Sequence, residues 1–169
     1  MPRRVLAALA TFVWLTGAPS CGPRVDLAQA VTVTDVFSGY YDVGVVAGEN
    51  KLVPSITFRL KNVAPDPISS VQLTVAYWAD GSDGENESLL VRGVGDAGLE
   101  PNASTAPITV RGSYGFTTPG ARADIFTHSM YRDYTAKVFA KQGGKIVRLG
   151  EFKIDRRIIP HASGEAGRQ

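Results

Sequence analysis

The segment Ser69-Ser70-Val71-Gln72-Leu73-Thr74-Val75-Ala76-Tyr77-Trp78 changes side every residue. Val71, Leu73, Val75 and Tyr77 fall on one face, and Gln72, Thr74, Ala76 and Trp78 on the other. A period of two belongs to a strand with one buried face, not to a helix. Two later stretches repeat it. In 134–141, Tyr134, Ala136, Val138 and Ala140 point inward, and Thr135, Lys137, Phe139 and Lys141 outward. Gln142-Gly143-Gly144 is a turn signal leading into a strand over 145–154. Val147 and Leu149 face in there, then the phase shifts to Phe152 and Ile154. Gly150 sits at the shift and predicts a β-bulge.

Outward from these three strands the same texture continues. Val31 and Val33 alternate with Thr32 and Thr34. Over 52–61, Ile56, Phe58 and Leu60 face in, opposite Ser55, Thr57, Arg59 and Lys61. A weaker strand covers 88–94, and Ala106, Ile108 and Val110 alternate over 106–111. The segment 116–131 does not alternate and reads as a loop with one or two helical turns linking the sheets. About seven strands between residues 31 and 160 predict an all-β fold, an immunoglobulin-like β-sandwich.

The chain has 169 residues, which suits one domain. Its 18 glycines and 10 prolines suit many turns rather than disorder. One cysteine excludes an internal disulfide and a cysteine-based zinc site, and two histidines exclude His-rich metal chemistry. Lys and Arg total 18 against 16 acidic residues. Without Arg3 and Arg4 the balance is 16 against 16, so no global charge argues for nucleic acid.

Residues 1–20, MPRRVLAALATFVWLTGAPS, place two arginines before an apolar run and end it in small residues and a proline. This is the pattern of a secretory signal peptide. The run Val5–Leu15 is too short for a bilayer-spanning helix. Cys21 follows directly, and the junction resembles the lipobox of bacterial lipoproteins, which implies lipidation of Cys21. Ordinary cleavage after Ala18-Pro19-Ser20 is the rival, and Ala28-Gln29-Ala30 is a third candidate junction. Residues 21–30 then form a tether, 31–160 the sandwich and 161–169 a disordered tail.

Phe58-Arg59-Leu60-Lys61-Asn62, Pro65-Asp66-Pro67-Ile68, the turn Asp80-Gly81-Ser82-Asp83-Gly84 and Leu99-Glu100-Pro101-Asn102 form a recognisable layout. It resembles the small extracytoplasmic β-sandwich modules of the FxLYD type over residues 53–111. Where those modules carry an aromatic-Leu-Tyr-Asp string, this chain has Ala76-Tyr77-Trp78-Ala79-Asp80. The resemblance implies a strand ended by a backbone-turning Asn62, an extracytoplasmic location and no catalytic residues.

Candidate chemistry is sparse. No G-x-S-x-G, S-x-x-K, H-E-x-x-H or P-loop string occurs, and His128, the one histidine inside the sandwich, falls in the 116–131 loop. Asp80, Asp83, Glu85 and Glu87 offer oxygen ligands to calcium, although the spacing is not that of an EF-hand and a solvated hairpin turn explains the same residues. Between 24 and 100 there are 5 basic and 11 acidic residues, and between 130 and 160 there are 8 basic and 3 acidic. In an immunoglobulin-like topology strands 69–78, 134–141 and 145–154 are neighbours, so Trp78 and Phe139 share an outward face with Lys137, Lys141 and Arg148. Aromatics beside cations on such a face are binding anchors, unless the 116–131 loop, with Phe116, Phe126 and Tyr131, folds over them.

The sequence therefore predicts a non-catalytic, exported, lipid-anchored accessory protein of a bacterial cell envelope, on a periplasmic or cell-surface face. It binds an envelope protein through a sheet face, with no cofactor. The alternative is a secreted module for calcium or carbohydrate centred on the acidic turn and Trp78.

Overall fold

A computed structural model describes residues 26–161. The leader, Cys21 and residues 162–169 of the tail lie outside them. The described chain is a β-sandwich of two sheets, as the alternation predicts. One sheet is five-stranded in the order β5-β2-β1-β9, with β6 also on β2; the other runs β4-β3-β7-β8. The strands are β1 Val31–Val46, β2 Glu49–Asn62, β3 Val71–Ala79, β4 Glu87–Val94, β5 Ile108–Arg111, β6 Phe116–Thr118, β7 Tyr134–Gln142, β8 Lys145–Lys153 and β9 Ile158–Ile159. Pairing is antiparallel except between β1 and β9.

The inward faces meet as read from the sequence. Phe58, Leu60 and Ile56 of β2 oppose Leu73, Val75 and Tyr77 of β3 and Ala136, Val138 and Ala140 of β7, all fully buried. The Tyr77 hydroxyl crosses the core and donates to the Val110 carbonyl at 2.8 Å, tying one sheet to the other. Burial pushes its phenol well above the ordinary tyrosine range.

Both hairpin turns carry the left-handed residues that match strand twist. Ala47 and Gly48, at φ 52° and 86°, close β1 on β2, and Gly143, at φ 59°, lies in the turn closing β7 on β8. The bulge in β8 falls one residue before Gly150. Val138 pairs with Gly150 and Phe139 with Arg148, leaving Leu149 as the extra residue.

Two expectations change. The first strand does not stop at Thr34 but runs to Val46, bent by register shifts after Thr34 and Asp42. Residues 27–30, read as tether, form a helical turn, α1 Leu27–Ala30, with Leu27 and Ala30 buried in the core. Asp26 caps it by accepting from the Ala28 amide at 3.3 Å. The helical turns expected in 116–131 are present as the 3-10 turn η1 Arg122–Thr127, beside the short strand β6, and of the two placements the sequence left open for its rings the segment takes the one away from the outer face of the four-stranded sheet. Phe116 packs on Tyr131 and Tyr134 at 5.0 and 5.9 Å between ring centres, and Phe126 on Tyr40 at 5.3 Å. Tyr40 of β1 and Tyr134 of β7 are core residues, so this segment plugs the space between the sheets.

Candidate binding face of the four-stranded sheet

Register decides which side chains stand together on the outer face of β4-β3-β7-β8. The first rung across the sheet is Arg92, Gln72, Lys141 and Ile146. The second is Leu90, Thr74, Phe139 and Arg148, and the third Ser88, Ala76, Lys137 and Glu151. The fourth carries Trp78, Thr135 and Lys153. Paired Cα atoms in such a ladder stand about 5 Å apart, so each rung is a continuous row of side chains.

All five residues that the sequence assigns to the face, Trp78, Phe139, Lys137, Lys141 and Arg148, lie on it. Trp78 and Phe139 are half-buried, and Lys141 and Arg148 are exposed. The Lys137 ammonium sits 3.9 Å from the centre of the Trp78 ring, held by the negative face of the indole. The indole N–H is shielded from solvent and finds no acceptor among the described residues. Lys137 thus occupies one face of this ring.

The sequence reading missed part of the face. Leu90 and Ile146 are about two-thirds exposed, at 65% and 64%. Arg92 and Lys153 add charge, so five cations share the face with Glu151. Arg148 pairs with Glu151 at 3.5 Å, Lys153 acts on the Asp133 carboxyl at longer range, and Lys141 has no carboxylate partner among the described residues. The signal was present in the alternation of β4 and in the shift at Gly150, which sends Glu151 and Lys153 outward beside Lys137 and Thr135.

The four acidic candidates do not share one environment. Asp80, Asp83 and Glu85 are exposed. The Glu87 carboxylate accepts from the Ser113 amide at 2.7 and 2.9 Å and from the Tyr114 amide at 3.3 Å. It fastens β4 to the loop after β5. Among the described residues no three His, Cys, Asp or Glu side chains converge as a metal site. His128 is exposed, and its Nδ1 accepts from the Met130 amide at 3.1 Å. His161 lies instead on the other sheet, its Nδ1 3.0 Å from the Tyr41 hydroxyl. Among the described residues no helix is long and apolar enough to cross a membrane.

No family model matches the chain, and no curated protein matches it. Solved structures match the chain only at low values. A Northeast Structural Genomics Consortium target, SoR45, is 12% identical with a TM-score of 0.41, over 85% of this chain and 96% of that one. The putative ApaA protein from Bordetella pertussis is 17% identical with a TM-score of 0.40, over 75% and 93%. At these values the likeness carries no function.

Proposed function

We propose that this chain is an exported, non-catalytic binding protein of a bacterial cell envelope, held at a membrane through Cys21, and that it engages a protein partner through the outer face of β4-β3-β7-β8. The observation that carries this reading is the uncovered face. Leu90 and Ile146 are largely exposed on it, Trp78 and Phe139 are half-exposed, and cations surround them. The aromatic loop that could have covered this face spends its rings between the sheets instead. Apolar anchors ringed by charge are the composition of an interface centre and its rim. The leader-like segment and the cysteine after it support the location.

The test places a photo-crosslinking amino acid at Ser88 on this face and, separately, at Thr109 on the five-stranded sheet, in the native host. Both positions are exposed. The expected result is one discrete envelope-protein adduct from position 88, absent from position 109 and lost in a Phe139→Ala background that keeps its thermal midpoint. Equal adducts from both faces, or an adduct indifferent to Phe139→Ala, would contradict the reading.

A further inference from the structure

The two ends of the four-stranded sheet differ in charged side chains, with Lys153 standing at the end of the acidic turn and Asp26 and Asp96 at the other end. The turn joining β3 to β4 carries exposed Asp80, Asp83 and Glu85 at one end. At the other end the rung Arg92–Gln72–Lys141–Ile146 leads into the β7–β8 turn and Lys145. The nine residues of β3 separate these poles by roughly 27 Å at strand rise.

A cleft of ≈ 260 Å³ opens at the basic pole, lined by Ser70, Gln72, Arg92, Asp96, Lys141 and Gly143 among others. Arg92 and Lys141 are the cross-strand neighbours of Gln72 on either side. Their guanidinium and ammonium groups can therefore approach one oxyanion from two sides, with the Gln72 amide between them as a further donor. Arg92 meets Asp96 at 3.4 Å, but both side chains are mostly exposed. A pair of that kind exchanges readily for another anion. Lys141 has no carboxylate partner among the described residues. Beside it Ile146 projects into solvent.

The chain also enters the fold at this pole. The Asp26 carboxylate is 3.0 Å from the Lys145 ammonium, next to the β7–β8 turn. Cys21 precedes Asp26 by five residues, a reach of at most about 18 Å. An acyl chain on Cys21 would therefore hold the basic pole, not the acidic one, against the bilayer.

We propose that the Arg92–Gln72–Lys141 cleft takes the phosphate of an anionic lipid headgroup, seating the basic pole on the bilayer with Ile146 among the headgroups and leaving the sheet face open sideways to its partner. This rests on the anchoring reading for its orientation, while the cleft itself does not. Cations flanking an exposed aliphatic side chain are the composition of a membrane-surface contact.

The experiment uses the chain from residue 22 onward, which keeps every described residue and carries no acyl group. Its sedimentation with phosphatidylglycerol-containing vesicles is compared with that on phosphatidylcholine vesicles, with soluble glycerol 1-phosphate as a third arm. Binding to the anionic vesicles is expected to weaken with salt. It is expected to fall about tenfold or more in Lys141→Glu and to weaken in Ile146→Ser. Lys153→Glu, on the same sheet but three rungs away, is expected to stay within about twofold. Equal binding to both vesicles, or full binding by Lys141→Glu, overturns the proposal. Saturable binding of glycerol 1-phosphate without vesicle binding overturns it in favour of a soluble phosphate ester. The anchor is read separately from the mass of native Cys21. Unacylated native protein with intact vesicle binding removes the anchor and leaves the cleft; acylated protein with no vesicle preference does the reverse.

Discussion

Asn62 stands at the end of β2 with no exposed surface, and its side chain satisfies three backbone groups. The amide nitrogen donates to the carbonyls of Asp66 and Leu99, both at 2.9 Å, and the amide oxygen accepts from the Ala64 N–H at 2.9 Å. One side chain thereby shapes the turn out of β2 and pins it to the Leu99 region, where Ile68 and Leu99 form a bridge. Asn62→Ala removes all three hydrogen bonds, the one to Leu99 buried and the other two part-buried, and an intramolecular hydrogen bond contributes about 0.5–1.5 kcal/mol. We expect a loss of about 3 kcal/mol, read as a lower denaturant midpoint with an unchanged slope. A loss under about 1 kcal/mol would mean that other groups replace the amide. A turning role for Asn62 entered the sequence reading as an implication of the resemblance, carried by Phe58-Arg59-Leu60-Lys61-Asn62 and the proline-containing segment after it. Tyr40 was not legible. Its hydroxyl accepts from Tyr131 at 2.8 Å, and burial drives its phenol far above the usual range, but its partner is 91 residues away.

At the scale of elements, Asp133 and Arg156 join two connections. Asp133 lies just before β7, and Arg156 lies between β8 and β9. The guanidinium donates twice to the carboxylate, at 2.7 and 2.8 Å, and stacks over the Tyr131 ring at 5.2 Å. The hydrogen bonds from Arg156 hold the Asp133 carboxyl below the usual carboxylate range, against a smaller opposing effect of burial. A carboxyl whose folded pKa is depressed stabilises the fold fully above the unfolded value, near 3.9 for aspartate. That stabilisation is lost as pH falls through the depressed value. Arg156→Ala is thus expected to lose stability at pH 7, with the wild-type advantage shrinking as pH falls below the unfolded aspartate value and through the depressed Asp133 value. A constant difference across that window would place the effect in packing instead.

The strands that were legible are those whose period runs unbroken, β3, β7 and the first half of β8. The second half of β1 was not. Asp35 at φ 52° and Gly44 at φ 94° accompany its two register shifts, and each shift breaks the alternation that reveals a strand. The two-residue β9 is defined by parallel pairing with Tyr40 and Tyr41, a contact with no local signature. The turn α1 is likewise fixed by burial of Leu27 and Ala30 in a core assembled from distant strands.

In the whole molecule, the sandwich separates three jobs. The space between the sheets is filled by the aliphatic core and by the ring cluster of Tyr40, Phe116, Phe126, Tyr131 and Tyr134. The outer face of the four-stranded sheet holds the uncovered aromatics and cations. The basic pole of that sheet faces the point where the chain enters. The outward set Trp78, Lys137, Phe139, Lys141 and Arg148 was readable because a period of two assigns faces without any knowledge of tertiary structure. Whether the aromatic loop covered that face was not readable, because loop placement depends on which cavity its rings fill.

The proposed membrane anchor at Cys21 is tested most directly by the intact mass of the mature protein from a fractionated native host. The expected result is a membrane-associated species that begins at Cys21 and carries added acyl mass. A soluble species with an unmodified N-terminus would contradict it.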